Sequence, residues 1–180
     1  MQQKAYTMNI AGLERELPMH QINEHLDIAA FILLGDVELT VACASELLKI
    51  VPEFDVILTP EAKSITLAYE MAKMSGKPYV VARKSVKLYM TDPLSVSVKS
   101  ITTAKEQNLY LGQEDVERIA GKRVLIVDDV ISTGESLLAV EALVEKAGGI
   151  ICGKSAVLAE GDAADRKDII FLHKLPLFFK

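Results

Sequence analysis

The sequence predicts an α/β protein built on one parallel sheet with helices on both faces. Continuous runs of Val, Ile and Leu alternate along the chain with segments whose apolar residues recur at helical spacing. This alternation is typical of strands that are buried on both sides. The chain has 180 residues, enough for one full core, and no Gly-, Ser- or Pro-rich stretch divides it. We therefore expect a single domain over residues 1–180.

The individual elements follow from apolar periodicity and from the residues that end it. Pro52 ends the first helical pattern, Gly76 and Pro78 close the second, and Gly148-Gly149 closes the last. Short Val- and Ile-rich runs between these patterns have the composition of buried strands. The predicted elements are helices over 37–51, 61–75, 113–119 and 134–147, and strands over 54–59, 78–83, 123–128, 150–159 and 168–175.

The segment from 87 to 100 differs from the rest of the chain. It is rich in Ser, Thr and Val, contains the turn dipeptide Asp92-Pro93, and alternates apolar with polar residues in SVSVKSI. Alternation with period two favours strands, and a Pro after Asp favours a turn. We expect a hairpin or a mobile flap here, the least core-like part of the middle of the chain.

Composition excludes several functional classes. Hydrophobic residues make up 50% and charged residues 25%, the net charge is −5, and no apolar run approaches the ~18 residues that span a bilayer. We therefore expect neither a membrane protein nor a nucleic-acid-binding protein. The first 18 residues lack the apolar core of a signal peptide, which favours the cytoplasm. The three His residues show no zinc-ligand spacing.

An acidic pair marks the candidate site. Asp128 and Asp129 follow a buried strand directly, and Ser132-Thr133-Gly134-Glu135-Ser136 comes next, opening a helix. Ligands of open α/β sheets bind outside the carboxyl ends of the strands, and a helix N-terminus offers N–H groups to a phosphate. Neither a Walker A motif nor a GxGxxG motif occurs in the chain. The alternative is that one acid only caps the helix, but two acids with a hydroxyl-Gly-hydroxyl turn favour a site.

The stretch VLIVDDVISTGES, residues 124–136, resembles the 13-residue signature of the type I phosphoribosyltransferases. The resemblance implies a parallel sheet flanked by helices, a hood from about residues 1–35 and the C-terminal end, and a mobile flap at about 88–110. It also implies that residues Ser132, Thr133, Gly134, Glu135 and Ser136 bind the 5-phosphate of 5-phosphoribosyl 1-diphosphate (PRPP). Asp128 and Asp129 would then address the ribose hydroxyls, one of them through Mg²⁺, the implied cofactor.

Two further segments resemble the adenine enzymes of this family. Residues 60–64, PEAKS, follow a buried strand and are similar to the diphosphate loop, where a non-proline cis peptide is expected. Residues 83–88, RKSVKL, match an Arg-Lys-x-x-Lys-Leu segment. The resemblance implies a homodimer in which one basic residue reaches the partner subunit. The implied diphosphate-binding residues are Glu61, Ala62, Lys63, Ser64, Arg83, Lys84 and Lys87.

The base-binding side is less sharply defined by sequence. The usual Tyr-x-Leu-Glu-Tyr-Gly flap motif and the Phe-Arg-Asp hood segment of adenine enzymes are both missing. Enzymes for 6-oxopurines commonly place a Lys beyond the last long strand, where this chain has Ala159-Glu160-Gly161-Asp162. This favours adenine, because a mismatched buried donor or acceptor is costly. Val130, Ile131 and Glu160 are the base-binding candidates, although Glu160 could equally be a solvated strand end.

The sequence therefore predicts a purine phosphoribosyltransferase that converts adenine and PRPP into AMP and diphosphate. Two alternatives remain open. One is a regulator that binds PRPP without transfer activity, suggested by the missing flap and hood motifs. The other is a transferase for another purine base. A pyrimidine acceptor is disfavoured by the basic segment 83–88.

Overall fold

The computed structural model describes residues 5–99 and 106–180. Helices and strands alternate through most of the chain, as predicted. The strands are β1 (Ala5–Ile10), β2 (Leu13–Asn23), β3 (Leu26–Ala29), β4 (Val56–Pro60), β5 (Tyr79–Ala82), β6 (Leu94–Lys99), β7 (Glu106–Leu111), β8 (Arg123–Ile131), β9 (Ile150–Glu160), β10 (Ile170–Leu175) and β11 (Phe178–Phe179). The helices are α1 (Val37–Leu48), α2 (Ile65–Ser75), α3 (Gln113–Ile119) and α4 (Glu135–Lys146), with a short 3-10 helix over Gly161–Asp165.

A parallel five-stranded sheet forms the centre of the fold, in the order β10-β9-β8-β4-β5. Successive side chains of a strand point to opposite faces. Leu125 and Val127 of β8 accordingly pack with α1 and α2, whereas Val124 and Ile126 pack with α4. Both faces of the sheet are thus buried under helices, which confirms the predicted α/β class.

Residues 5–29 form strands that the apolar pattern did not predict. Strand β2 pairs antiparallel with β1 on one side and with β3 on the other, and β11 from the C-terminal end pairs antiparallel with β3. Many side chains of β2 are exposed, so its alternation is not a clear burial signal. Arg15 of β2 joins this small sheet to the rest of the protein, because its Nε lies 2.6 Å from Asp36 Oδ2 at the start of α1. Residues 1–4 of the predicted hood lie outside the described residues.

Strands β6 and β7 form an antiparallel hairpin. Strand β6 lies within the segment 87–100, where a hairpin or flap was expected, and β7 lies beyond it. Residues 100–105, within the predicted flap, lie outside the described part of the chain. The base of the hairpin belongs to the core, since Leu109 and Leu111 are buried and Lys146 Nζ of α4 donates to the carbonyl of Ser95 at 2.8 Å. Within 87–98 no side chain is buried, in agreement with the prediction that this segment is the least core-like part of the middle of the chain.

Among the element boundaries that differ from the prediction, two matter for the site. Helix α2 begins at Ile65 rather than at 61, because residues 61–64 form a turn with a cis Glu61–Ala62 peptide bond. The expected cis peptide is thereby confirmed. Strand β8 continues to Ile131 rather than ending at 128, so the acidic pair lies within a strand. Among the described residues, no helix has the length and apolarity needed to cross a membrane.

Candidate active site

A cavity of about 460 Å³ opens at the carboxyl ends of β4 and β8. It brings together most of the residues predicted from the three sequence segments. The predicted residues that line it are Glu61, Ala62, Lys63, Lys84, Asp128, Asp129, Val130, Ile131, Ser132, Thr133, Gly134, Ser136 and Glu160. The predicted residues Ser64, Arg83, Lys87 and Glu135 lie outside this lining.

The acidic pair lies in the lining of the cavity, with Asp129 buried and Asp128 half-buried. Asp128 Oδ1 accepts hydrogen bonds from Ser64 Oγ at 3.1 Å and from the backbone N–H of Asp129 at 2.8 Å. Asp129 is 2% exposed. Burial, and then the neighbouring charge of Asp129, raise the pKa of Asp128 to about 7. The pair is therefore poised to gain from a cation or from hydroxyl donors.

The loop after β4 closes on the acids from one side. Lys63 Nζ lies 2.8 Å from Asp129 Oδ2, an ion pair whose angle falls outside hydrogen-bond geometry. Thr59 Oγ1 donates to Ser64 Oγ at 2.8 Å, and Ser64 donates on to Asp128. Ser64 is fully buried, so its hydroxyl links the loop to the acid rather than lining the cavity.

Glu61 joins the same loop to the basic segment. Its Oε2 accepts from the backbone N–H of Lys84 at 3.0 Å, and its Oε1 lies 3.4 Å from Arg83 Nη1 and 3.6 Å from Lys87 Nζ. The Lys84 hydrogen bond, with the charges of Lys87 and Arg83, holds the pKa of Glu61 below its usual value. Glu61 thus positions the cations, and Lys84 is the one that lines the cavity.

The turn after β8 has the geometry of an anion site. Gly134 has φ +81°, a conformation that favours glycine, and it directly precedes α4. The first N–H groups of a helix lack partners within that helix and attract negative charge. Thr133, Gly134 and Ser136 line the cavity at this point. The turn can hold a phosphate against the N-terminus of α4.

The opposite side of the cavity is apolar. Residues 28–32, which end β3 and follow it, line the cavity together with Val130, Ile131 and Leu175. Glu160 at the end of β9 also lines this side, and its burial raises its pKa, which the charge of Lys63 opposes. Leu109, Gln107 and Leu175 were not predicted as site residues, because each comes from a segment without a motif. Lys154 is held by Glu141 and Asp168 and does not line the cavity.

Fold and site together define a parallel α/β protein whose polar cavity lies at the carboxyl edge of the sheet. Residues 42–174 match the family model described as the phosphoribosyl transferase domain. The chain belongs to this family, which confirms the resemblance inferred from residues 124–136. The match includes every predicted diphosphate and phosphate segment, whereas residues 28–32 precede it.

Relatives and solved structures extend this finding. The adenine phosphoribosyltransferase of Chlorobium phaeovibrioides is 33% identical over 123 residues, covering 66% of this chain and 64% of that protein. The hypoxanthine/guanine phosphoribosyltransferase of Methanococcus voltae is 39% identical over 112 residues, covering 62% of this chain and 56% of that protein. The structure of adenine phosphoribosyltransferase from Thermoanaerobacter pseudethanolicus superposes with a TM-score of 0.67 at 29% identity, covering 79% of this chain and 84% of that one. The chain thus spans less than two thirds of the length of these two sequence relatives.

Proposed function

We propose that this protein transfers the phosphoribosyl group of PRPP to adenine, giving AMP and diphosphate. One observation carries the proposal: a single cavity combines an acidic pair, a glycine turn at a helix N-terminus, and two lysines, Lys63 and Lys84. These three parts correspond to the ribose, the 5-phosphate and the diphosphate of PRPP. The relatedness to adenine phosphoribosyltransferases supports the same activity.

Each part of PRPP has its own binding residues in this proposal. The turn from Ser132 to Ser136 holds the 5-phosphate with backbone N–H groups and hydroxyls, and Asp128 and Asp129 accept hydrogen bonds from the ribose hydroxyls. The diphosphate lies between the loop from Glu61 to Ser64 and the basic segment. Lys63 and Lys84 neutralise its charge directly, while Glu61 positions Arg83, Lys84 and Lys87.

The reaction is a displacement at the anomeric carbon. The bond from that carbon to the diphosphate oxygen breaks, and its electron pair leaves with the diphosphate. A ring nitrogen of the base forms the new bond to the carbon and gives up its proton to the departing diphosphate. Positive charge develops on the sugar and negative charge on the leaving group. The carboxylates of the acidic pair stabilise the first, and the lysines stabilise the second. The apolar side formed by residues 28–32 excludes water from the reacting carbon.

Mg²⁺ is the proposed cofactor, and the donor set fits it. This ion commonly takes only one or two carboxylates together with substrate phosphate oxygens and water. Asp128 and Asp129 are adjacent carboxylates in the cavity lining, and within the described residues no cluster of three or more His, Cys, Asp or Glu is arranged to hold a metal. When bound, the ion would supply positive charge for the diphosphate. Asp128 or Asp129 would hold it together with PRPP.

Adenine is the proposed base because of the group that faces the apolar side. Glu160 offers a carboxylate there, which accepts a hydrogen bond from an exocyclic amino group but opposes the oxygen of a 6-oxopurine. Burial raises the pKa of Glu160, and the charge of Lys63 offsets part of that rise. Val130 and Ile131 supply apolar contact for the purine ring.

Glu160→Gln is expected to lower the ratio of kcat/KM for adenine to kcat/KM for hypoxanthine by about tenfold. The amide accepts a hydrogen bond from the amino group of adenine more weakly than a carboxylate does, and it can donate one to the oxo group of hypoxanthine. Steady-state kinetics with both bases measure the ratio. The matched control is Asp162→Asn, an exposed carboxylate two residues away that does not line the cavity. An unchanged ratio in the Glu160 variant would remove this residue from base selection.

We further propose a homodimer. The basic segment continues into side chains that are apolar and exposed, with Leu88 fully exposed and Tyr89 71% exposed. Burial of such side chains favours association. Sedimentation equilibrium is expected to give twice the chain mass for the wild type and a shift towards monomer for Leu88→Asp. A monomer at all concentrations of wild type contradicts this part of the proposal.

The activity itself is tested with a panel of free bases. Purified protein with PRPP and Mg²⁺ is expected to release diphosphate with adenine and much less with hypoxanthine, guanine or xanthine. If the protein prefers a 6-oxopurine, the proposed transferase activity stands and adenine is replaced as the proposed base. Calorimetric binding of PRPP without release of diphosphate for any base would replace the proposal with a regulator that binds PRPP.

A further inference from the structure

An arginine from a distant part of the chain packs against the glycine turn. A Cβ added to Gly134 would lie 2.5 Å from Arg166 Nη1 and 3.8 Å from Arg166 Cζ, so the guanidinium rests directly on the turn. Arg166 follows the 3-10 helix over Gly161–Asp165, 32 positions beyond Gly134 in sequence. The absence of a side chain at Gly134 makes this approach possible.

Asp168 holds the guanidinium of Arg166 in place through the Nε and Nη2 edge. Arg166 Nε donates to Asp168 Oδ1 at 2.9 Å and Nη2 donates to Asp168 Oδ2 at 2.6 Å, a paired contact that fixes the plane of the group. The remaining nitrogen, Nη1, faces Gly134. The charge of Asp168 also raises the pKa of Arg166.

A second ion pair anchors this contact to the helix that the turn begins. Lys154 Nζ of β9 bridges Asp168 Oδ2 and Glu141 Oε1, the latter at 3.1 Å and two turns into α4. Lys154 and Glu141 are 16% and 20% exposed, so their ion pair is largely shielded from solvent, whereas Asp168 is half-exposed. This series of contacts, Glu141–Lys154–Asp168–Arg166, thus starts on α4 and ends against Gly134, the residue that precedes α4.

The described lining residues include no cation assigned to the phosphate turn in the proposed function. Among the described lining residues the cations are Lys63 and Lys84, and both belong to the diphosphate side, where Lys63 is also paired with Asp129. A 5-phosphate at the turn would bring up to two negative charges close to the carboxylates of Asp128 and Asp129. A cation packed on Gly134 lowers that electrostatic cost.

We propose that Arg166 is a recognition residue for the 5-phosphate, with a guanidinium fixed against the Ser132–Ser136 turn by Asp168. The inference rests on the proposed use of this turn by PRPP. It predicts that Arg166 contributes to PRPP affinity through its charge, and that it contributes little to the chemical step on the far side of the ribose.

The test compares PRPP binding by calorimetry in the wild type, Arg166→Gln and Arg166→Lys at two salt concentrations. Arg166→Gln is expected to weaken PRPP binding about tenfold at low salt, with a smaller salt dependence and a nearly unchanged kcat. Arg166→Lys keeps the charge and is expected to remain within about threefold of the wild type. The control is Arg118→Gln, because Arg118 is a half-exposed arginine paired with Asp115 on α3.

The outcomes separate this inference from the proposed function. No PRPP binding by the wild type would refute the proposed function itself. Wild-type binding with an unchanged affinity in Arg166→Gln would overturn the inference alone. A loss that Arg166→Lys shares in full, with an unaltered salt dependence, would also overturn it, because it would assign Arg166 to packing rather than to charge.

Discussion

Replacing Asp128 and Asp129 together by Asn is expected to lower diphosphate release from PRPP by at least about a hundredfold, the loss typical of removing charge stabilisation from a transition state. Both side chains line the cavity, where little water could take over their role. The amides keep the shape of the carboxylates but not their charge, so the developing positive charge on the sugar loses its partners. Steady-state kcat/KM for PRPP measures the effect.

The control for this variant is Glu53→Gln. Glu53 is 90% exposed and pairs with Arg123, which begins β8 at the edge of the sheet opposite the cavity. The same change from carboxylate to amide is expected to leave turnover unaltered there. Circular dichroism should show that both proteins keep their fold. Turnover near the wild-type value in the double Asn variant would exclude the acidic pair from the mechanism.

Asp128→Asn alone is expected to stabilise the metal-free protein at pH 8 by a few kcal/mol while impairing its activity. In the folded protein the pKa of Asp128 is raised from 3.8 to about 7. Between these values the unfolded chain loses the proton and the folded protein keeps it, so the free energy of unfolding falls as pH rises. Asn does not titrate, so the variant does not undergo this decrease in the free energy of unfolding.

The measurement is urea denaturation of both proteins in chelator from pH 4 to pH 8. The difference in free energy of unfolding, variant minus wild type, is expected to grow with pH between about 4 and 7 and then to level off. The exposed change Glu53→Gln should alter stability by less than about 0.5 kcal/mol. An Asn variant that is less stable than the wild type at pH 8 would contradict the burial of an uncompensated carboxylate at position 128.

The centre of the site was predictable from sequence because it is local. Asp128, Asp129 and the turn to Ser136 occupy one continuous stretch, and the rule that ligands bind at the carboxyl ends of parallel strands places that stretch at the sheet edge. The loop from Glu61 to Ser64 follows the neighbouring strand β4 and reaches the same edge for the same reason. Helical periodicity sufficed for α1, α2 and α4, whose apolar faces cover the sheet.

The contacts between these segments could not be predicted, because they depend on strand register and side-chain position. The hydroxyl of Ser64 donates a hydrogen bond to Asp128, which lies 64 positions away in sequence, and no local sequence pattern predicts this contact. Arg166 and Gly134 meet only because the segment after β9 returns over the N-terminus of α4.

The apolar side of the cavity was the hardest part to predict. Residues 28–32 contact it from the end of β3, in a small sheet whose exposed strands carry a weak apolar signal. Leu175 arrives from β10 and Leu109 from the hairpin, and single leucines carry no functional signature. A binding surface assembled from isolated apolar residues emerges only once the strands are placed.

The central claim is that one cavity holds all of PRPP, and a crystal structure of the protein with PRPP and Mg²⁺ tests it most directly. We expect the 5-phosphate to lie within hydrogen-bond distance of the backbone N–H groups of Ser132 to Ser136. The ribose hydroxyls should contact Asp128 or Asp129, and the diphosphate should lie beside Lys63 and Lys84. PRPP bound away from this cavity, or bound with its diphosphate at the Ser132–Ser136 turn, would contradict it.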